Sequence, residues 1–382
     1  MNILLLLPFY DPEKKKTTSG VDYHRLYAPM RHLSDEVEKI NVHIARGMMD
    51  VTEKQLKDMD VVHFNSNTCI LYEQNGKPQV IDTKEAILNC KKAGVKVWLD
   101  LDDYWVQPKL HYKYAIRCKP NPFAMLTGNK SIPTHKSVMS QTIDAILHAD
   151  IISVSTPPLK DLVEKANPKA EVWLVPNAIS KQDPQFMGDK ETDKDYVTFA
   201  FSRQISRPND LYLLKEYMEA VKDLKGFRML YLGYNPKDKG SVACHRALSV
   251  NETLDTDVYS YRPFISPDIY GHYYKDVDVL FNPIGLANRS EEELRFDACK
   301  SDLKILECGF TNTAYMGLTD EYDYLNSTNH FSFEKSLESM VEATKFALSN
   351  PDLIVKRAAY LSEDAEHKEM GKVNHIRKLI LQ

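Results

Sequence analysis

An alternation of short apolar runs with amphipathic stretches, interrupted once by a polar segment, most constrains the fold of this chain. Runs rich in leucine and β-branched residues recur, for example at Val61–Asn65 and Ile151–Ser155. Stretches with helical periodicity separate them, which is typical of a parallel sheet covered by helices. Beyond the polar segment the alternation restarts. The sequence therefore predicts an α/β protein with two doubly wound domains.

The domain limits follow from residues 181–195, a charged stretch without periodicity that we interpret as the linker. We assign residues 1–180 to the first domain and 196–365 to the second, and expect residues 366–382 to form a helix that packs on the first. The predicted strands are Asn2–Phe9, Val61–Asn65, Val95–Leu101, Ile151–Ser155, Val172–Val175, Tyr196–Phe201, Met229–Leu232, Val258–Tyr261 and Val277–Phe281. The predicted helices include Gly20–Leu33, Pro158–Lys165, Asp210–Leu224 and one that starts at Leu303.

Several function classes are disfavoured by what the sequence lacks. The apolar run Ile3–Phe9 is far shorter than the ~20 residues of a membrane span. The six cysteines are scattered and form no Cys-x-x-Cys pair, so a zinc site or disulfide framework is not predicted and a reducing cytoplasm is expected. Neither the glycine-rich dinucleotide motif nor the P-loop motif is present, which argues against a nicotinamide dehydrogenase and a P-loop nucleotidase.

Basic residues lie at two predicted strand-to-helix turns of the second domain. Arg203 and Arg207 follow a strand, whereas Lys300 and Lys304 run into a helix that also carries Glu307. Arginine and lysine beside a helix N-terminus can neutralise and hydrogen-bond a diphosphate. On a helix the two lysines and the glutamate would share one face, and the carboxylate could accept hydrogen bonds from ribose. The same spacing is also that of an ordinary solvated helix.

The acidic segment Asp100-Leu-Asp102-Asp103 raises the question of a metal, because carboxylate oxygens suit magnesium or manganese. Asp100, however, belongs to a buried run, and the four basic residues of the second domain already serve the same diphosphate. We therefore expect no metal and no cofactor. Asp102 would line the cleft expected between the carboxyl ends of the two sheets, and Asp103 would cap the loop.

The order of motifs resembles the family-4 type of retaining glycosyltransferases, over most of the chain. The corresponding segments are Thr18-Ser-Gly-Val, Leu99-Asp-Leu-Asp-Asp-Tyr-Trp, Ala149-Asp-Ile-Ile-Ser-Val-Ser-Thr, Val175-Pro-Asn-Ala-Ile, Ser202-Arg with Arg207-Pro-Asn-Asp, and Lys300-Ser-Asp-Leu-Lys-Ile-Leu-Glu. Each is weak alone, but six in the same order are specific. The resemblance implies the GT-B fold, with two Rossmann-like domains facing across a cleft. It also implies metal-independent transfer of a sugar from a nucleotide sugar, UDP- or GDP-linked, with retention.

The same resemblance implies roles for individual residues. Arg203 and Arg207 would hold the diphosphate, Glu307 the ribose, and Gly20 would let the backbone approach the leaving phosphate. The donor-binding residues it implies are Gly20, Arg203, Arg207, Arg262, Phe264, Lys300, Ser301, Lys304 and Glu307, where Arg262 and Phe264 belong to the backbone stretch against the nucleobase. The catalytic candidates are Asp102, Arg203 and Lys304.

Two positions depart from the family pattern. Cys299 stands where the family has a glutamate that touches the transferred sugar, and Asp102 stands where it has a histidine. Recognition of the sugar is therefore the least constrained part of the prediction. A nucleotide-sugar 2-epimerase of the same fold and a non-catalytic binding subunit remain alternatives; the intact phosphate-binding residues argue against the second.

A basic stretch with interleaved aromatic residues bears on the acceptor, because Tyr104–Ile143 contains no acidic residue. The side chains that we expect on the acceptor side are Lys14, Lys15, Lys16, Asp103, Trp105, Lys109, Lys113 and Arg117. Such a surface suits a polyanion with stacking bases, although a solvated lid would look the same. The motifs also resemble bacteriophage-encoded transferases, which implies hydroxymethylated pyrimidines in phage DNA as acceptor, within the host cytoplasm. A glycan or lipid-linked acceptor stays an alternative.

Overall fold

The computed structural model describes two compact units of the chain. The described residues are 1–65, 72–74, 77–79, 83–107, 109, 137–187, 190, 194–202, 208–249, 257–283, 290–319 and 329–382. Unit 1 comprises Met1–Ala178, Arg295–Ser301 and Met370–Gln382, and unit 2 comprises Ile179–Leu294 and Asp302–Glu369. Each unit contains one six-stranded parallel sheet with helices. Residues of the stretch 181–195 thus group with unit 2, and Arg295–Ser301 groups with unit 1.

Unit 1 is built on a sheet with the strand order β10-β9-β8-β5-β1-β4. Its strands, together with two short hairpins, are β1 (Asn2–Leu6), β2 (Tyr10–Asp11), β3 (Lys16–Thr17), β4 (Asn41–Ala45), β5 (Val61–Asn65), β6 (Tyr72–Gln74), β7 (Lys77–Gln79), β8 (Lys96–Leu101), β9 (Ile151–Val154) and β10 (Glu171–Leu174). Its first helices are α1 (Ala28–Glu36), α2 (Glu53–Lys57), α3 (Thr83–Lys92), α4 (Val138–His148) and α5 (Pro157–Ala166). A π-helical segment, Asp22–Tyr27, leads directly into α1.

Unit 2 repeats the arrangement with the order β13-β12-β11-β14-β15-β16. Its strands are β11 (Val197–Phe201), β12 (Phe227–Tyr234), β13 (Tyr259–Pro263), β14 (Val279–Asn282), β15 (Ala314–Leu318) and β16 (Phe331–Phe333). The remaining helices of the chain are α6 (Pro208–Val221), α7 (Lys239–Ser249), α8 (Glu291–Ala298), α9 (Leu303–Phe310), α10 (Leu337–Ser349), α11 (Pro351–Ala365) and α12 (Met370–Ile380). By residue number, α12 belongs to unit 1 and α8 spans the boundary at Leu294.

Buried strands explain why the sequence reads as continuous apolar runs. In unit 1, β5 pairs with β8 in register from Val61 opposite Lys96 to Asn65 opposite Asp100, and β5 is buried over its whole length. Sheets covered on both faces lack the polar–apolar alternation of half-exposed strands.

In unit 2, Gly309 lets α9 approach α11, since a Cβ there would lie 2.6 Å from the Leu361 carbonyl oxygen. Small residues of this kind permit close helix contact.

All predicted strands are present, with ends shifted by a few residues, but three further sheet strands were missed. β4 is an edge strand with exposed polar side chains, and β16 has only three residues. β15 is fully buried but short, and a short apolar run does not distinguish strand from helix. Each sheet reverses its direction of growth beside its first strand, between β1 and β5 in unit 1 and between β11 and β14 in unit 2. Ligands of doubly wound domains bind at the carboxyl ends of strands at such switch points.

Candidate functional site

At the carboxyl end of β8, a buried ion pair holds the start of the acidic segment. Asp100 is only 1% exposed and accepts from Arg25 through Nε at 2.8 Å and Nη2 at 2.7 Å. Ser153 on β9 donates to the same carboxylate at 2.5 Å. The Arg25 charge keeps the pKa of Asp100 below its usual value even though burial alone would raise it. Asp100 is therefore an internal partner of Arg25, as expected from its place on a buried run.

Asp102 and Asp103 follow β8 and have separate partners. Asn177 Nδ2 lies 3.5 Å from Asp102 Oδ1, and Ser155 Oγ donates to the Asp102 carbonyl at 3.0 Å. Burial, then the neighbouring charge of Asp103, raises the pKa of Asp102 to about 6. Lys300 donates to Asp103 at 2.7 Å. The acidic segment thus offers one carboxylate that titrates near neutrality beside one that is ion-paired.

The structure corrects the expected geometry of Lys300. The preceding helix α8 ends at Ala298 and α9 begins at Leu303, so Lys300 and Ser301 lie in the connection. The Lys300 amide instead closes a turn on the Asp297 carbonyl at 3.0 Å. The prediction that Lys300 and Lys304 share a helical face is therefore wrong, whereas Lys304 and Glu307 do share a face of α9. Lys300 Nζ also lies 4.3 Å from the centre of the Phe296 ring.

Cys299 is a buried packing residue of unit 1. Its thiol belongs to the apolar cluster that includes Leu101 and Leu159, and burial raises its pKa to about 12. Thr156 Oγ1 donates to its carbonyl at 3.3 Å. A thiol that stays protonated and apolar cannot replace a glutamate as an acceptor of sugar hydroxyl hydrogen bonds.

Asp22 and Asn65 form a polar pair at the switch point of unit 1 that the sequence motifs did not single out. Asp22 opens the π-helical segment after β1, and Asn65 ends β5 and donates to Asp22 Oδ1. Within the described part of the chain, Asp22 Oδ2 is buried and has no hydrogen-bond partner. Burial raises the pKa of Asp22 to about 7. The sequence signal that could have identified Asp22 is its position two residues after Gly20, in the segment that follows the first strand.

Gly20 itself is not required by the packing of the protein. A Cβ at this position would meet no heavy atom within 4 Å, and its φ lies outside the left-handed region that favours glycine. The loop therefore has open space beside its backbone.

In unit 2, polar side chains of α9 meet tyrosines of the segment Tyr270–Asp276. Lys304 Nζ lies 5.2 Å from the centre of the Tyr270 ring. Lys304 Nζ also lies 3.5 Å from Glu307 Oε2, which accepts from the Tyr274 hydroxyl at 2.5 Å. Glu307 is 3% exposed. A buried carboxylate, an amine and two phenols thus meet in one polar site.

Near the end of β13, Arg262 and Phe264 lie on the surface of unit 2. Arg262 Nη2 is 3.3 Å from Asp276 Oδ2, with both side chains exposed. The Phe264 amide donates to the Tyr234 carbonyl at 2.9 Å while its ring is 54% exposed. An exposed ring on a hydrogen-bonded backbone is available for stacking. Arg203 and Arg207 lie outside the described residues.

The expected acceptor-side residues have different surroundings. Lys14 is exposed and lies 3.4 Å from Asp11, and the Lys15 carbonyl accepts from Tyr27 at 2.8 Å. Lys16 lies in β3, and Lys109 is exposed. Trp105 packs edge-on against Tyr104 and against the core of unit 1. Lys113 and Arg117 lie outside the described residues.

Metal-binding clusters and membrane-spanning helices are both absent from the described residues. In this part of the chain, no group of three or more His, Cys, Asp or Glu side chains is arranged to hold a metal ion. Among the described helices, none is both long and apolar enough to cross a membrane.

Comparison with known proteins gives a match at the level of structure. No protein-family model and no curated protein matches the sequence. A sucrose-phosphate synthase from Thermosynechococcus elongatus superposes with a TM-score of 0.63 at 9% identity, covering 100% of this chain and 98% of its own. HepE from Anabaena in complex with UDP-glucose gives 0.59 at 9% identity, with 100% and 99% covered.

A third structure matches over both full lengths. An α-glucosyltransferase in complex with UDP and a 13-mer DNA containing an HMU base gives a TM-score of 0.59 at 11% identity, with 100% of each chain covered. Identities this low show a common fold and no more. The chain has the α/β architecture of GT-B glycosyltransferases, which confirms the predicted fold class.

Proposed function

We propose that this protein is a glycosyltransferase that uses a nucleoside-diphosphate sugar, with UDP as the preferred nucleotide. The observation that carries the proposal is the site on α9, where the buried Glu307 carboxylate lies between Lys304 and the Tyr274 hydroxyl. A buried carboxylate with a fixed orientation suits the paired hydroxyls of a ribose. A partly exposed lysine beside it suits a phosphate. Both groups lie in unit 2, on the helix to which the motif resemblance assigns the donor.

Comparison with solved structures supports the same nucleotide. HepE has been solved with UDP-glucose, and the α-glucosyltransferase with UDP. Both match this chain over its full length. We also propose that Arg203 and Arg207 complete the diphosphate site, and that Gly20, with open space beside it, lets the backbone approach the leaving phosphate. No metal is invoked, because the basic side chains supply the charge.

Calorimetry with UDP, GDP and ADP tests the nucleotide assignment directly. We expect UDP to bind and Glu307→Gln to weaken the binding, since an amide accepts more weakly than a carboxylate. The matched control is Glu342→Gln on the exposed face of α10 in unit 2, which should leave the affinity unchanged. Equal affinities in wild type and Glu307→Gln would remove Glu307 from the donor site. Release of UDP from UDP-sugars, monitored in a coupled assay, then tests turnover.

For the reaction we propose attack by the acceptor hydroxyl on the same face of the sugar from which the diphosphate leaves. Positioning and stabilisation of the leaving phosphate would supply most of the rate. The product would keep the anomeric configuration of the donor. The coupling constant of the anomeric proton in the product distinguishes the outcomes, and an inverted product would overturn this mechanism.

For the acceptor we propose DNA that carries hydroxymethylated pyrimidines. The support is the exposed lysine hairpin formed by β2 and β3, the basic stretch after Trp105, and the DNA bound in one structure of the same fold. Phosphate contacts make such binding fall steeply with salt. Titration of hydroxymethylated and unmodified duplexes between low and physiological salt tests the proposal. Absence of DNA binding at low salt would redirect the search to a glycan or lipid-linked acceptor.

A further inference from the structure

Arg25 contacts three different parts of unit 1 from one guanidinium. Two of its nitrogens bind the carboxylate of Asp100 at the end of β8. The third donates to the Val175 carbonyl at 2.7 Å and to Asn177 Oδ1 at 3.2 Å, in the segment after β10. The side chain is 1% exposed. This one guanidinium therefore joins the segment after β1 to the ends of β8 and β10.

The parts that Arg25 holds are those that flank Asp102. Asp100 lies on β8, two residues before Asp102, which follows the strand. The bidentate contact of Arg25 with Asp100 therefore fixes the backbone that carries the Asp102 carboxylate. Asn177, whose oxygen accepts from Arg25, presents its amide 3.5 Å from Asp102 Oδ1. An asparagine oxygen and its amide nitrogen are fixed together, so Arg25 determines which face of Asn177 meets Asp102.

Stability alone is a weak reason for this arrangement. Desolvation of two buried charges offsets most of their attraction, and apolar residues of similar volume often stabilise a fold as well. Planar, bidentate pairing fixes geometry in a way that apolar packing does not. Arg25 also lies in a π-helical segment at the switch point of the sheet, and such segments recur at functional sites.

We propose that Arg25 is a positioning residue for the transfer reaction: it orients Asp102 toward the acceptor by clamping Asp100 and Asn177. The proposal rests on the proposed function, because it assigns Asp102 a place beside the acceptor hydroxyl. The charged groups that face Asp102 are Asp103, Arg25, Asp100 and Lys300. All belong to unit 1, whereas the nucleotide site proposed above lies on α9 in unit 2. Loss of the clamp should therefore reduce turnover without weakening UDP binding.

The test uses the paired variant Arg25→Met with Asp100→Asn, which removes both charges together and so leaves neither buried and unpaired. Its matched control is Arg46→Met with Asp50→Asn, an exposed ion pair of the same residue types elsewhere in unit 1. We expect the paired variant to melt cooperatively and to bind UDP with unchanged affinity. Its kcat should fall at least tenfold with the donor KM unchanged, while the control keeps wild-type values.

A third substitution separates positioning from general damage. If Arg25 acts through Asp102, adding Asp102→Asn to the paired variant should lower kcat by less than twofold, although Asp102→Asn alone lowers it at least tenfold. Additive losses would overturn the proposal, as would a paired variant with wild-type kcat. Arg25→Lys keeps the charge but loses the bidentate contact. We expect its kcat to fall, with the same non-additivity when Asp102→Asn is added. A wild-type kcat in Arg25→Lys would also overturn the proposal. If wild type releases no UDP from any sugar donor, the proposed function itself fails, a result distinct from these.

Discussion

The two sheets end in sites of opposite character, although both are six-stranded, parallel and doubly wound. At the end of the unit 1 sheet two of the carboxylates are ion-paired, Asp100 with Arg25 and Asp103 with Lys300. At the corresponding site of unit 2 a partly exposed lysine lies over a tyrosine ring, with one buried glutamate 3.5 Å away. A buried, bidentate ion pair fixes geometry, whereas a partly exposed lysine beside aromatic rings can also contact an anionic ligand. This difference underlies the proposal that unit 1 orients one reactant and unit 2 binds the nucleotide.

The largest expected effect concerns the buried ion pair of unit 1. Asp100→Asn leaves the Arg25 charge buried without its counterion, which should lower the free energy of unfolding by about 3–5 kcal/mol. Urea denaturation measures the change. Adding Arg25→Met to this variant should recover part of the loss, because it removes the unpaired Arg25 charge while the buried Arg377 charge remains nearby. A loss below about 1 kcal/mol for Asp100→Asn alone would mean that water or another group already solvates Arg25.

A second prediction concerns the carboxylate of Asp22, whose Oδ2 has no hydrogen-bond partner among the described residues. Its substitution should raise the free energy of unfolding, whereas Asp100→Asn should lower it. Burial raises its pKa to about 7 in the folded state, while the unfolded chain titrates near the ordinary value of 3.8. A raised carboxyl pKa means that stability is full below pH 4 and is lost as the pH rises to about 7. Asp22→Asn should therefore stabilise the protein at pH 8 by up to about 4 kcal/mol.

The pH dependence provides the control for Asp22. Below about pH 3, where Asp22 is protonated in both the folded and the unfolded state, wild type and Asp22→Asn should unfold alike. Asp35→Asn, at an exposed position of α1, is the matched control for the loss of one carboxylate. Equal stabilities of wild type and Asp22→Asn at pH 8 would show that Asp22 is solvated.

How far the sequence predicts these sites depends on whether the signal is local. Periodicity revealed the strands because burial on both faces produces continuous apolar runs. The contact between Lys304 and Glu307 could be predicted because the two residues are three apart on one helix. The pairing of Arg25 with Asp100 joins residues far apart in the chain, and no local spacing encodes it. The predicted helix start at Leu303 is confirmed, whereas the four-residue spacing of Lys300 and Lys304 wrongly placed Lys300 on the same helix. Asp22 carried no motif, and only its burial makes it distinctive.

The third prediction tests the open site of unit 2. Lys304→Met keeps an unbranched side chain over Tyr270 but removes the charge, so UDP should bind more weakly by about 1.5–3 kcal/mol. The substitution also leaves the buried Glu307 carboxylate without its ion-pair partner, so the free energy of unfolding should fall as well. Calorimetry at two salt concentrations measures the affinity, and the deficit should shrink at high salt. Lys345→Met on α10 is the matched control. An equal loss of UDP affinity in both variants would mean that Lys304 acts only through the net charge of the protein.

The smallest effect is expected at Phe264, which probes whether unit 2 also binds the base. Its ring is exposed on a backbone fixed by the Tyr234 carbonyl, so Phe264→Ala should leave folding intact. If the ring stacks on the nucleobase, UDP binding should weaken by about 1 kcal/mol, the low end for an aromatic contact because one face stays solvated. Ribose 5-phosphate, which lacks a base, should bind wild type and Phe264→Ala equally. Phe346→Ala, a similarly exposed ring on α10, should affect neither ligand. A loss for both ligands in Phe264→Ala would instead indicate that the ring supports the backbone near Arg262, and would move the base to another part of unit 2.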